Sequence, residues 1–204
     1  MGKSLTRDEI KTLYHPPVNR FVEVDVPALS YVMLDGVGDP SGGAYQHAVK
    51  WLFATIIPIR KIAKEKMGAN FVEPPLETLY WTDGKAGLAS APKAEWRWRA
   101  MIVLADWMNE AILSDAVAKT AKALGDVPEG LRIEEMHEGR SVQFMHEGPP
   151  DRDSDVVARL YEAYLPSHGL APNGAFHEIY LTDARRVAPE KLRTVLRQPV
   201  QPVV

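Results

Sequence analysis

The sequence predicts an α+β fold. Two copies of a β-α-β-β unit build an antiparallel sheet, with helices on one face and a ligand cleft on the other. Three observations lead there. Segments of alternating polarity and segments with apolar residues at helical spacing recur in a similar order in the two halves of the chain. No Pro/Ser-rich linker divides the halves, so residues 1–204 read as one domain, with an N-terminal half of about 20–105 and a C-terminal half of about 106–200. Several large aromatics fall on strands whose free face has no helix to cover it, which is the content of a ligand pocket.

The elements follow in order. Residues 21–34, rich in Val and aromatics, read as a strand interrupted or edged at Pro27. The loop "DGVGDPSGG" leads into a helix over 44–69, where Ala48, Trp51, Leu52, Ile56, Ile59 and Ile62 share helical spacing and Gly68 closes the segment. Pro58 predicts a kink or an end near Ile57. Residues 71–84 and 95–105 read as a hairpin with a long connection. An amphipathic helix over 106–124 ends at Gly125, and two short strands flank Gly139 within 131–148. Ser154 is the expected N-cap of a helix over 154–170, with Asp153 and Asp155 at its positive end. Residues 175–183 form the next strand, and 188–200 begin as a helical turn and end extended.

The composition excludes several functions. Hydrophobic residues are 46% and charged residues 25%, with a net charge of −3, an ordinary globular mix without the basic field that nucleic acid requires. The absence of cysteine removes disulfides, thiolate metal sites and a cysteine nucleophile. No apolar run has signal-peptide length, and none reaches the roughly 20 residues of a membrane helix. The expected location is the cytoplasm.

Most motifs dissolve on inspection. "DGVGDPSGG" lacks the spacing of a phosphate cradle. The pairs His137-Glu138 and His146-Glu147 stand nine residues apart, with no zinc-binding helix, so no metal is expected. No G-x-S-x-G elbow is present. Arg185, Arg186, Arg193 and Arg197 read as a solvated basic surface.

"AFHEIYLTD", residues 175–183, is different. Strand alternation puts Phe176, Glu178, Tyr180 and Thr182 on one face and Ala175, His177, Ile179 and Leu181 on the other. Glu178 then lies between two aromatic rings, as a solvated surface acid or as the charged floor of a pocket. The strand at 95–105 puts Trp96, Trp98 and Ala100 together, and its partner separates Leu79 and Trp81 from Tyr80.

On these residues the chain resembles the GyrI-like small-molecule-binding family, whose members stand alone or serve as effector-binding domains of bacterial transcription regulators. The resemblance runs over about residues 20–200. It is carried by "YVMLDGVGDP", "AYQHAVKWLFATIIPIRK", "VEPPLETLYW", "WRWRAMIVLADW" and, most specifically, "HEIYLTDARRVAPEKLRTVLRQPV". It implies two βαββ halves around a central cleft, into which the glutamate of the H-E-I-Y-L segment points. That position is Glu178, with Tyr180 matching the adjacent tyrosine. Trp81, Trp98 and Phe144 are chosen as cleft walls from strand position, with Phe176 beside Glu178. No helix-turn-helix unit is predicted, so the resemblance is to the stand-alone form.

The resemblance implies a multidrug-type binding protein for hydrophobic aromatic, cationic compounds, with no cofactor, direct nucleic-acid contact or membrane. A carboxylate and aromatic faces both attract such cations. Some stand-alone members resemble hydrolases that open the cyclopropane ring of DNA-alkylating natural products. In that alternative Glu178 is the general base and Tyr180 polarises the substrate carbonyl. A third class, an interaction protein such as a gyrase inhibitor, has no residue of its own to support it.

Overall fold

The computed structural model describes residues 5–18, 20–68, 73–83, 88, 90–149 and 153–203. Its helices are α1 (Arg7–Tyr14), α2 (Gly43–Met67), α3 (Glu110–Leu124), α4 (Asp153–Arg159) and α5 (Leu165–Ser167). A π-helical stretch, Leu160–Tyr164, joins the last two. The strands are β1 (Val22–Val26), β2 (Leu29–Val37), β3 (Leu76–Trp81), β4 (Arg97–Val103), β5 (Arg132–Met136), β6 (Gly139–Glu147), β7 (Leu170–Pro172), β8 (Phe176–Tyr180) and β9 (Arg193–Pro202).

The main sheet runs β1-β6-β9-β8-β3-β4-β2-β5, with β7 on β9. The two halves meet where β3 pairs antiparallel with β8, Thr78 opposite Glu178. The outer strands are exchanged: β1 pairs with β6 of the C-terminal half, and β5 pairs with β2 of the N-terminal half. Only Pro27 and Ala28 separate β1 from β2, and only residues 137–138 separate β5 from β6. Such short links join opposite ends of the strand order, so the sheet has to curl.

Curling divides the core. On the inner face one cluster draws on both halves, including Tyr31, Met33, Met101, Met145, Ile179 and Val195, with Leu13 and Tyr14 of α1 packed against it. The outer face carries two clusters. One joins β2, β3 and β4 to α2 and α3; the other joins Val142 and Val200 to the π-helical stretch and α5. The cleft is the gap between these outer clusters, above β3 and β8. It therefore opens on the helix-bearing face and not on the opposite one, as the sequence reading had it. The opposite face is consumed by its own closure: Met33 and Met101 there have no exposed surface.

The helices follow local chemistry. Thr6 caps α1 by accepting from the Glu9 amide, while the Glu9 carboxylate accepts from the Thr6 amide, a reciprocal capping box. The sequence carries that T-x-x-E pattern, yet no element was predicted there. α2 runs through Pro58, where a kink or an end was expected. Proline cannot donate to the carbonyl four residues back. Thr120 Oγ1 of α3 shares its proton between the Ala116 carbonyl of its own helix, at 2.9 Å, and that Ala54 carbonyl, at 3.2 Å. Asn109, not Asp106, starts α3, its side chain accepting from the Ile112 amide at 3.0 Å. α4 begins at Asp153, so Ser154 lies inside the first turn and not at the cap. Residues 84–87 and 89 of the predicted 84–94 connection lie outside the described residues.

Two substitutions test this packing. A Cβ at Gly36 would sit 2.1 Å from Cζ2 of Trp98, a buried indole that cannot swing away. Gly36→Ala should destabilise the fold by about 1–3 kcal/mol in urea denaturation, with a change in tryptophan emission. Thr120→Val should cost about 1 kcal/mol by stranding the Ala54 carbonyl, measured in the same way.

Candidate functional site

The cleft floor is made by alternate residues of the two central strands. Leu76, Thr78 and Tyr80 of β3 face outward with Phe176, Glu178 and Tyr180 of β8, because they are paired in register. Tyr180 donates to Glu178 Oε2 at 2.7 Å. The Tyr180 proton is thereby committed, so its oxygen accepts from the Tyr80 hydroxyl at 2.8 Å. The result is a directed chain, Tyr80 to Tyr180 to Glu178. Beside it, the first turn of α2 brings the Tyr45 hydroxyl to 2.7 Å from Thr78 Oγ1.

The phenols are held as donors. Burial pushes the Tyr180 and Tyr80 hydroxyls well above the ordinary phenol pKa, and the neighbouring Glu178 charge adds to this. Burial raises Tyr45 as well. All three stay protonated at neutral pH. Indoles frame them edge-on: Trp98 lies 5.1 Å from Tyr45 at 90°, and Trp96 lies 5.7 Å from Tyr80. Chemically this is a carboxylate served by a phenol relay within aromatic walls. It can hold an aromatic molecule, take a proton from water and stabilise a developing oxyanion.

The structure brings Glu178, Tyr180 and Phe176 together at this cleft, with Trp98 packed behind Tyr45. Of the other two expected wall residues, Trp81 lines the same cavity without facing the floor, and Phe144 does not line it. Trp81 alternates onto the inner face with Glu77 and Leu79, where it packs against the inner cluster. Phe144 is on the outer face, but β9 separates its strand from β8. It packs against Phe21 instead, with ring centroids 5.2 Å apart and the planes tilted by 46°. Tyr45, Thr78, Tyr80 and Tyr161 were not predicted. Tyr80 was legible in principle, since alternation alone separates it from Trp81. Tyr45 and Tyr161 lie on helices and reach the cleft only through tertiary packing.

Directly behind the floor is a buried ionic cluster. His177 Nδ1 bonds Glu138 Oε1 at 3.0 Å, and its Nε2 lies 3.1 Å from Glu77 Oε2, close but poorly aligned for a hydrogen bond. Arg197 donates to Glu138 Oε2 at 2.9 Å, and Tyr14 donates to Glu77 Oε1 at 2.8 Å. Arg197 also donates to the Leu13 carbonyl at 2.7 Å, and Gln143 donates to the Thr12 carbonyl at 2.7 Å. These two bonds satisfy the free end of α1. Arg197, read from sequence as solvated, is 1% exposed, because alternation along β9 turns it inward. Burial opposes the charge on His177, but Glu138 and then Glu77 outweigh it and raise its pKa to about 9. Burial would likewise raise Glu138, but His177 and Arg197 hold it down at about 2.

Among the described residues no group of metal-ligating side chains is present, and no helix is long and apolar enough to cross a membrane. A family model, the GyrI-like small molecule binding domain, matches residues 20–201. No curated protein matches the chain. Among solved structures, a conserved protein from Listeria innocua is 34% identical, covering 96% of this chain and 98% of its own, with a TM-score of 0.83. A Listeria innocua structure described as a hydrolase is 32% identical, covering 98% and 100%, with a TM-score of 0.78. Another Listeria innocua hydrolase structure is 31% identical, covering 94% and 98%, with a TM-score of 0.75.

The buried cluster sets a pH dependence. His177 has a higher pKa folded, about 9, than its ordinary 6.5. Its stabilisation is therefore complete below about pH 6.5 and lost as pH rises through about 9. Wild-type urea midpoints should fall across that window. His177→Gln should begin lower, by about 3–5 kcal/mol, and show no such fall.

Proposed function

The chain belongs to the GyrI-like small molecule binding domain family, and on that premise we propose that it is a hydrolase acting on hydrophobic aromatic small molecules, with Glu178 as general base. The observation that carries this reading is the directed Tyr80–Tyr180–Glu178 chain on the cleft floor. The similar Listeria innocua structures described as hydrolases support the same reading.

The substrate class that fits is an aromatic carrying a cyclopropane conjugated to a carbonyl. Glu178 takes a proton from a bound water as the water oxygen bonds to a ring carbon. One C–C bond of the cyclopropane breaks, and its electron pair passes into the conjugated carbonyl, leaving an oxyanion. Tyr45 is the donor placed to receive that oxygen, because the Tyr80 proton is committed to Tyr180. The Tyr180 and Tyr80 hydroxyls then rotate so that the chain runs the other way: the Glu178 proton passes to Tyr180, the Tyr180 proton to Tyr80 and the Tyr80 proton to the oxyanion. The carboxylate is restored, and the product has gained one water. Release of ring strain drives the opening, so one base and a donor suffice, and no covalent intermediate is required.

A second reading uses the same residues without chemistry. A carboxylate among aromatic faces favours a planar cation, each ring contributing about 0.5–2 kcal/mol. The experiment that separates the two is incubation with a cyclopropane-fused dienone, following ring opening by mass spectrometry. Turnover by wild type, reduced roughly 10²–10⁴-fold in Glu178→Gln and to a smaller extent in Tyr180→Phe, is the expected result. Tight binding of planar cations with no turnover of any such dienone would replace the hydrolase reading with the binding one.

A further inference from the structure

Two hydroxyls at the cleft floor stand outside the Tyr80–Tyr180–Glu178 chain. Thr78 of β3 has no exposed surface, and its Oγ1 lies 2.7 Å from the Tyr45 hydroxyl. The strand register gives Thr78 two cross-strand neighbours, Glu178 on β8 and Ala100 on β4. Ala100 is short and fully buried, so the first turn of α2 can lower Tyr45 onto the sheet at this point. The Tyr45 ring is fixed there by its edge contact with Trp98, 5.1 Å away at 90°.

At this distance either oxygen could donate, and burial decides between them. If Tyr45 donated, the Thr78 proton would stay on an oxygen that water does not reach. Among the described residues no second acceptor bonds that hydroxyl, and a buried donor without an acceptor is penalised. If Thr78 donates, its proton is satisfied. The proton left over then belongs to Tyr45, a half-buried side chain that lines the cleft. Burial also keeps that phenol protonated. The bond therefore runs from Thr78 to Tyr45, and the Tyr45 proton is turned to the cleft.

We infer that Thr78 is a positioning residue: by donating to Tyr45 it makes Tyr45 a donor to the ligand, and the site thereby selects molecules that present a bare acceptor oxygen, a carbonyl or an enolate, at that point. Thr78 has no surface of its own on the cleft and acts only through Tyr45. Two hydroxyl chains then meet at one strand boundary. One ends on Glu178, which accepts a proton; the other ends on Tyr45, which donates one. Thr78 and Glu178 are register partners on strands about 4.8 Å apart, so base and donor are anchored side by side. This rests on the reading of the floor as the substrate site and gives its donor an orienting partner.

The test needs no turnover. 2-Acetonaphthone and 2-isopropenylnaphthalene have nearly the same shape, and only the first carries an acceptor oxygen. Equilibrium dialysis gives the affinity of each. Wild type should favour the ketone by about five- to ten-fold, the worth of one hydrogen bond. Thr78→Val keeps the side-chain shape and deletes the hydroxyl, and should cut that preference to about two-fold or less. Thr78→Ser should restore it. In a Tyr45→Phe background the preference should already be gone, and adding Thr78→Val should change it no further. The alkene should bind wild type and Thr78→Val alike, as expected of a cleft that keeps its shape, and thermal melting verifies the fold. If the valine variant melts early, Thr78→Ala gives the same comparison without a methyl group against Tyr45. Equal affinity of the two probes for wild type, an undiminished ketone preference without the Thr78 hydroxyl, a loss that serine does not restore, or a preference that survives Tyr45→Phe would each overturn the assignment. The hydrolase reading is decided separately by dienone turnover. A Thr78-dependent ketone preference without ring opening would keep the donor and discard the chemistry; ring opening without that preference would do the reverse.

Discussion

A histidine held between two buried carboxylates is the constraint on which the rest of this protein depends. His177 belongs to β8, Glu77 to β3, and Glu138 to the link between β5 and β6; Arg197 of β9 completes the charge balance. Desolvating four ionisable groups is expensive, and the cost is offset only when every partner is in place. The cluster therefore tolerates one arrangement of these strands. It also reaches α1, whose last carbonyls accept from Arg197 and Gln143. One polar knot thus joins both halves of the sheet to the helix that plugs its inner face.

Strand alternation carries this rigidity to the cleft. Glu77 is the chain neighbour of Thr78, His177 of Glu178, and Arg197 of Gln198. Each buried charge faces inward, and each neighbour faces the site. The floor is thus backed, residue by residue, by groups that cannot shift independently. A base and its relay have to be held to within a fraction of an ångström, and two antiparallel strands locked from behind meet that demand better than a loop.

The seam between halves explains why the site is where it is. The outer face is covered by α2 and α3 over the N-terminal strands and by the π-helical stretch and α5 over the C-terminal ones, and the two outer clusters do not merge. Where they stop, Glu178 and Tyr180 of β8 are left half-buried beside the buried Thr78 and Tyr80 of β3. The inner face has no such gap, because the exchanged strands β1 and β5 draw the sheet around a single shared core. Duplication with strand exchange thereby leaves one cleft, lined by side chains from both halves.

The sequence by itself determined the element types, most of the order, and the faces of each strand, because period and turn chemistry are local. It set Phe176, Glu178 and Tyr180 on one side of β8 and His177 on the other, and the quoted motifs identified the family. It did not reveal α1, although Thr6 and Glu9 spelled its cap, and it left a kink or an end open at Pro58, because the hydroxyl of Thr120 that reaches the Ala54 carbonyl lies 62 residues beyond that proline. Only the tertiary structure decided which sheet face would be cleft and which would be core. It also decided that Trp81 and Phe144 stand away from the floor, and that Arg197 is a buried counter-ion. The physical reason is common to all of these. Alternation says that two residues lie on opposite sides of a strand, but only the closure of the sheet says which side is left open to water.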